Sequence, residues 1–151
     1  MKLEIYDSKE LNFVELNITG DNENFLRCDP ESKYMDSIVF NIFAPCFENA
    51  NKLYDYFGGT KYNSRKIIPL RNELKSHLEI LENVKTIEDF IRIVSRKFLG
   101  KDFLEELVKQ DKNWHNNWQF YLEKLKIINI ELIKLTEKCA DEERILWVIG
   151  Y

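Results

Sequence analysis

Two histidines, His77 and His115, and three cysteines, Cys28, Cys46 and Cys139, are all that this chain offers for imidazole or thiol chemistry. A Ser-His-Asp or Cys-His centre would have to draw on one of those two imidazoles. No G-x-S-x-G, no G-x-G-x-x-G and no Walker loop is present. The paired glycines Gly58-Gly59 run into Thr60-Lys61-Tyr62 and read as a helix-end turn, not as a phosphate cradle. Asp111 and His115 stand four apart and could share a metal on a helix, but the third ligand that zinc or iron needs is missing. The sequence therefore calls for no metal and no cofactor. The cysteines are odd in number and form no C-x-x-C pair. Cys46 and Cys139 sit among apolar residues, as reduced, packed thiols do.

One segment carries a nameable spacing. Arg71-Asn72-Glu73-Leu74-Lys75-Ser76-His77 places an arginine, five residues and a histidine on a helical stretch. It resembles the R-x4-6-H motif of HEPN-domain ribonucleases, in which a polar residue also follows the arginine. The resemblance implies metal-free RNA cleavage, with Arg71 holding the phosphate and His77 as general acid or base. It also implies a cleft assembled between two copies. It covers seven residues of 151, and the strands read below depart from an all-helical HEPN domain.

Charge is the other functional signal. The net charge is −4. Residues 1–60 carry five basic and eleven acidic side chains, whereas residues 61–151 carry a slight basic excess. Asp21, Glu23, Asp29, Glu31 and Asp36 cluster on turn-like sequence in the acidic part. Such a surface disfavours nucleic acid and steers a basic protein partner. Their spacing does not match a calcium loop.

Elements must position these groups. Leu3 and Ile5 alternate with Lys2 and Glu4, and Val14, Leu16 and Ile18 alternate with Phe13, Glu15 and Asn17; both patterns predict half-buried strands. A third strand is expected over Phe25–Cys28, ended by Asp29-Pro30. From Asp36 to Phe57 the apolar residues step by threes and fours, with Pro45 leaving helix or strand open around it. Further helices are expected from Pro69 through Leu81, from Thr86 through Phe98 to a stop at Gly100, and over Phe103–Val108. The strongest pattern runs from Asn113 to Cys139. There Phe120, Ile127, Ile130 and Ile133 widen the apolar stripe, so this helix is expected to be packed from several sides, with Glu123–Lys126 and Glu131–Lys134 pairs on its polar strip. Residues 145–149 read as a buried strand that joins the N-terminal ones, a last helical turn being the alternative.

These readings assemble into one α+β domain over 1–151: a strand-rich acidic part (1–30), a helical part (36–139) and a terminal strand (144–149). A small antiparallel sheet packs on a mainly helical bundle. No apolar run approaches the roughly 20 residues that span a bilayer and no signal peptide is visible, so a cytoplasmic location is expected. The function expected is non-enzymatic protein binding, concretely that of a bacterial immunity protein or antitoxin occluding a basic toxin. The alternatives are the HEPN-like ribonuclease and a structural subunit with an apolar patch around Trp114 and Trp118. The sequence leaves the oligomeric state open.

Overall fold

A computed structural model describes residues 1–10, 12–97, 100 and 102–150. The elements in order are β1 (Phe13–Asn17), β2 (Lys33–Asp36), α1 (Ser37–Ala50), β3 (Gly59–Tyr62), α2 (Ile67–Glu82), α3 (Ile87–Val94), α4 (Phe103–Gln110), α5 (Trp114–Asp141) and β4 (Leu146–Ile149). The four strands form one antiparallel sheet in the order β2-β1-β4-β3. The fold is α+β, and the C-terminal strand does enter the sheet, beside β1.

Register explains why the sheet is buried on both sides. Leu16 lies opposite Val148, and Val148 opposite Thr60; Val14 lies opposite Met35, and Leu146 opposite Tyr62. Because side chains alternate along a strand, these residues share one face. All are buried, and the apolar ones belong to the main core with α1, α2 and α5. Glu15, Asn17, Tyr34, Trp147 and Ile149 occupy the opposite face and are buried too, although none of them joins that main core.

Local signals set the helix starts. Asp36 caps α1 by accepting the Ile38 N–H at 2.8 Å, and Thr86 Oγ1 accepts the Asp89 N–H at 3.2 Å at the start of α3. Asp102 caps α4 through the N–H groups of Leu104 and Glu105. Pro69 sits in the first turn of α2, where its missing N–H is harmless. Pro45 is inside α1, so the segment around it is helix.

Several expectations are corrected. Residues 2–5 form no strand; Tyr6 alone bridges Tyr34, by N–H···O bonds of 3.0 and 2.8 Å. Leu3 and Ile5 instead pack as a strap against the core. Residues 25–28 form no strand either, because Cys28 takes a left-handed φ of 53° and this stretch lies over the sheet's face, not along an edge. The helix read from Asp36 to Phe57 ends at Ala50: Asn51 turns extended, its amide donating to Lys61 O, and Leu53 and Phe57 are exposed. The strands 33–36 and 59–62 were not anticipated, and Gly59 starts a strand where a helix stop was read. Helix α3 ends at Val94, and the expected contact of Phe98 falls outside the described residues. Helix α5 has the expected span but is not wrapped on all sides. Its principal neighbour is α2, and Phe120, Ile127 and Ile130 are open to solvent. Glu123 pairs with Lys126 at 2.7 Å, whereas among the described residues no ion pair joins Glu131 and Lys134.

Candidate functional site

The covering of the second sheet face is the most constructed polar feature of the chain. Residues 18–32 leave β1 and return in β2, its direct neighbour, so the ends of this long loop are close together, as in an Ω-loop. The loop folds back over the sheet and is fastened by strand side chains. Asn17 Oδ1 accepts the N–H groups of Thr19 and Gly20, both at 3.0 Å, and Asn17 Nδ2 donates to Leu26 O at 2.9 Å. Trp147 Nε1 donates to Asp21 O at 2.8 Å, and Phe25 packs on the Trp147 ring with centroids 4.8 Å apart. Lys61 Nζ reaches Asn22 O at 2.6 Å. A Cβ on Gly59 would sit 2.8 Å from Cε1 of Phe25, so the lack of a side chain there makes room for the loop.

Glu15 is the deepest fastener. Its side chain is 0% exposed. Both carboxylate oxygens accept the Cys28 N–H, at 2.9 and 3.0 Å, and Oε1 also accepts the buried Ser32 hydroxyl at 2.7 Å. A carboxylate tolerates such burial only when it is hydrogen-bonded, and donors to a charged acceptor bind it strongly. The left-handed backbone at Cys28 is the local strain accepted at this point.

The acidic residues ride on this fastened loop. Asp21 Oδ1 accepts the N–H groups of Glu23 and Asn24, each at 2.8 Å; these bonds, with a smaller contribution from the Lys61 charge, hold its carboxyl below the usual range. Asp29 Oδ1 accepts the Glu31 N–H at 2.8 Å, forming a second Asx turn. Glu23 and Glu31 are exposed, and Glu31 lies 3.8 Å from Arg144, whose Nε is held by Glu142 at 2.6 Å. Leu26 is 66% exposed in the middle of the same loop. Asp36 stands apart from these four, its carboxylate being the cap of α1.

The chain matches no family model, no curated protein and no solved structure. Function must therefore be argued from the residues themselves.

Arg71, Asn72 and His77 all lie on α2. Six residues rise about 9 Å along a helix and turn its side chains to different sides. Arg71 Nη2 contacts Asn72 Oδ1 at 3.4 Å, and Arg71 Nε has no hydrogen-bond partner among the described residues. His77 turns inward: Nδ1 lies 2.9 Å from Asn129 Oδ1 and the ring meets Phe43 edge-on at 5.2 Å. Burial lowers the His77 pKa, with the Asn129 contact partly opposing it. Asn129 is itself fully buried and donates to Leu74 O at 2.9 Å, so the pair ties α2 to α5. Asp111 is engaged by Asn113, Asn117 and Tyr121, not by His115. Among the described residues no group of three or more His, Cys, Asp or Glu is arranged to hold a metal, and no helix is long and apolar enough to cross a membrane.

Sequence reasoning missed Glu15, Asn17 and Asn129. For Asn129 a signal existed: one amide inside the apolar stripe of Leu125, Ile128 and Leu132. Trp114 and Trp118, whose spacing reads as core anchors at a helix start or else as a partner groove, pack inward as core anchors do.

Proposed function

We propose that this protein acts by binding, not by catalysis, and that the loop 18–32 is its docking surface for a cationic protein. The concrete form is a bacterial immunity protein or antitoxin that covers the working surface of a basic toxin. One observation carries the reading. Asp21, Glu23, Asp29 and Glu31 lie on the same loop as the exposed Leu26, a loop that also carries the exposed Arg27 and that buried Glu15 and Asn17 fasten to the sheet. An exposed apolar residue on a mainly acidic loop suits a protein interface, in which charge sets encounter rate and specificity and the apolar contact supplies affinity. A loop ordered before binding loses less entropy on docking. The placement of His77 against Asn129, with Arg71 on another side of α2, offers less to the ribonuclease alternative.

The test uses residues whose carboxylates hold no backbone. The full chain and its Glu23→Lys/Glu31→Lys variant are immobilised side by side and exposed to extract from the source cells. The expected result is one basic protein retained by the native chain, eluted by a few tenths molar salt as screening shortens the Debye length to a few ångströms, and lost from the variant. Identical retention on both surfaces overturns the proposal.

A further inference from the structure

The outer face of α5 offers an interface of a different kind, independent of the loop. Phe120 is 57% exposed, Ile127 50% and Ile130 38%. Phe120, Ile127 and Lys134 follow one another at seven-residue steps, and so do Glu123 and Ile130, which is the a/d seam of a short coiled coil. Lys124 and Glu131 occupy one flank of that seam. The seam runs about 27 Å from residue 120 to 138 at 1.5 Å per residue. Among the described residues neither Glu131 nor Lys134 makes an ion pair, although they stand three apart on a helix, whereas Glu123 is held by Lys126 at 2.7 Å in its own chain. Lys124 Nζ lies over the Phe120 ring, 5.5 Å from its centroid.

We propose that this face binds a second copy of the chain, with the two α5 helices antiparallel. The order of charges selects both the occupant and the direction. When one copy is turned end over end about a point near Ile128, Ile127 meets Ile130 of the second copy. Glu123 then meets Lys134, and Lys124 meets Glu131. Each pair occurs twice by the symmetry of an isologous contact. In the same register Phe120 lies opposite the second copy's Glu137, which Lys75 holds at 3.3 Å within its own chain, with Lys138 one residue further on. The parallel arrangement would instead stack Lys134 on Lys134 and Glu123 on Glu123. The central layers of the seam, from Glu123 to Lys134, are complementary to their own reverse, which favours a second copy as the occupant, and the parallel alternative is penalised by like charges.

Sedimentation equilibrium on the full chain tests this. The mass should rise from 18.2 kDa toward twice that value, with half-association at about 10–500 µM for a contact at the small end of specific interfaces. Ile127→Asp should remain monomeric at every concentration; the residue is half exposed, so the fold survives. Lys134→Glu should weaken association at least about tenfold, and Glu123→Lys with Lys134→Glu should restore it to within about threefold, because the pairing between copies is exchanged while only the exposed Glu123–Lys126 pair within each chain is given up. Direction is read separately in a Cys28→Ser background. Glu123→Cys and Lys134→Cys chains should form a crossed disulfide on mixing, while Lys134→Cys chains alone should not. A single 18.2 kDa species throughout, undiminished association of Ile127→Asp, failure of the charge exchange, or a Lys134→Cys homodimer each overturns the proposal.

Discussion

Replacing Glu15 by glutamine should release the loop 18–32 from the sheet while leaving every exposed charge of that loop in place. The native carboxylate is fully buried and accepts the Cys28 N–H on both oxygens and the Ser32 hydroxyl on one. Hydrogen bonds to a charged acceptor contribute about 1.5–3 kcal/mol each. Glutamine can set its one carbonyl oxygen where Oε1 accepts both donors, but its NH2 group then replaces Oε2 and turns a donor toward the Cys28 N–H, so one contact is lost and the remaining bonds lose their charge assistance. A neutral side chain recovers part of the desolvation penalty of the carboxylate. The balance is a loss of about 2 kcal/mol. With a urea slope of about 2 kcal/mol/M, the unfolding midpoint should fall by about 1 M. The melting temperature should fall by about 4–8 °C for a chain of this size.

Two readouts locate the loss. Amide exchange at Cys28 should quicken more than exchange in α5. Tryptophan emission should shift to the red as Trp147 loses the cover of Phe25 and the acceptor at Asp21 O. Glu15→Ala should cost more, about 3–5 kcal/mol, since both donors are then left without an acceptor. Glu4→Gln, an exposed acid, is the control and should change stability by less than about 0.5 kcal/mol. If Glu15→Gln unfolds at the wild-type midpoint, or loses stability with Cys28 exchange unchanged, the anchoring role assigned to Glu15 is wrong.

Two further outcomes follow from buried titratable groups. Burial lowers the His77 pKa, so in the pH range just below its ordinary value near 6.5 the unfolded chain binds a proton that the folded chain refuses. Stability is therefore full above that range and declines as pH falls through it; urea midpoints measured from pH 5 to 8 should rise with pH in the native chain and rise less in His77→Gln. Burial also pushes the thiols of Cys46 and Cys139 up, to about 12 and about 11. A disulfide-exchange reagent at pH 8 should then titrate one thiol rapidly, that of the partly exposed Cys28, and the other two only after denaturation.

What was legible in the sequence is what periodicity encodes. The spans of α2, α4 and α5, the cap at Thr86, and the strands containing Val14–Leu16 and Leu146–Ile149 come from apolar repeats long enough to be distinctive. Strands β2 and β3 have four residues each and little alternation; they are strands because β1 and β4 offer them edges, a tertiary fact. The same limit explains Glu15 and Asn17. Alternation assigned them to a solvated face, which would be right for a sheet covered on one side. Their cover is a loop whose backbone N–H and C=O groups need polar partners, and so polar side chains are what that face requires.

That requirement bears on the docking proposal. A loop of fifteen residues left mobile would present its carboxylates in many arrangements, and ordering it on contact would cost about 1–2 kcal/mol for each backbone unit fixed. Here Asn17, Glu15, Lys61 and Trp147 order it during folding, each by a bond to loop backbone and none through an acidic side chain of the loop. Fastening to the sheet thus uses other atoms than Glu23, Leu26 and Glu31 present to a partner, whereas the Asp21 and Asp29 carboxylates also shape turns within the loop. Glu23, Leu26 and Glu31 can be altered without unfastening the loop, whereas Glu15 or Asn17 cannot be altered without changing the shape that a partner meets.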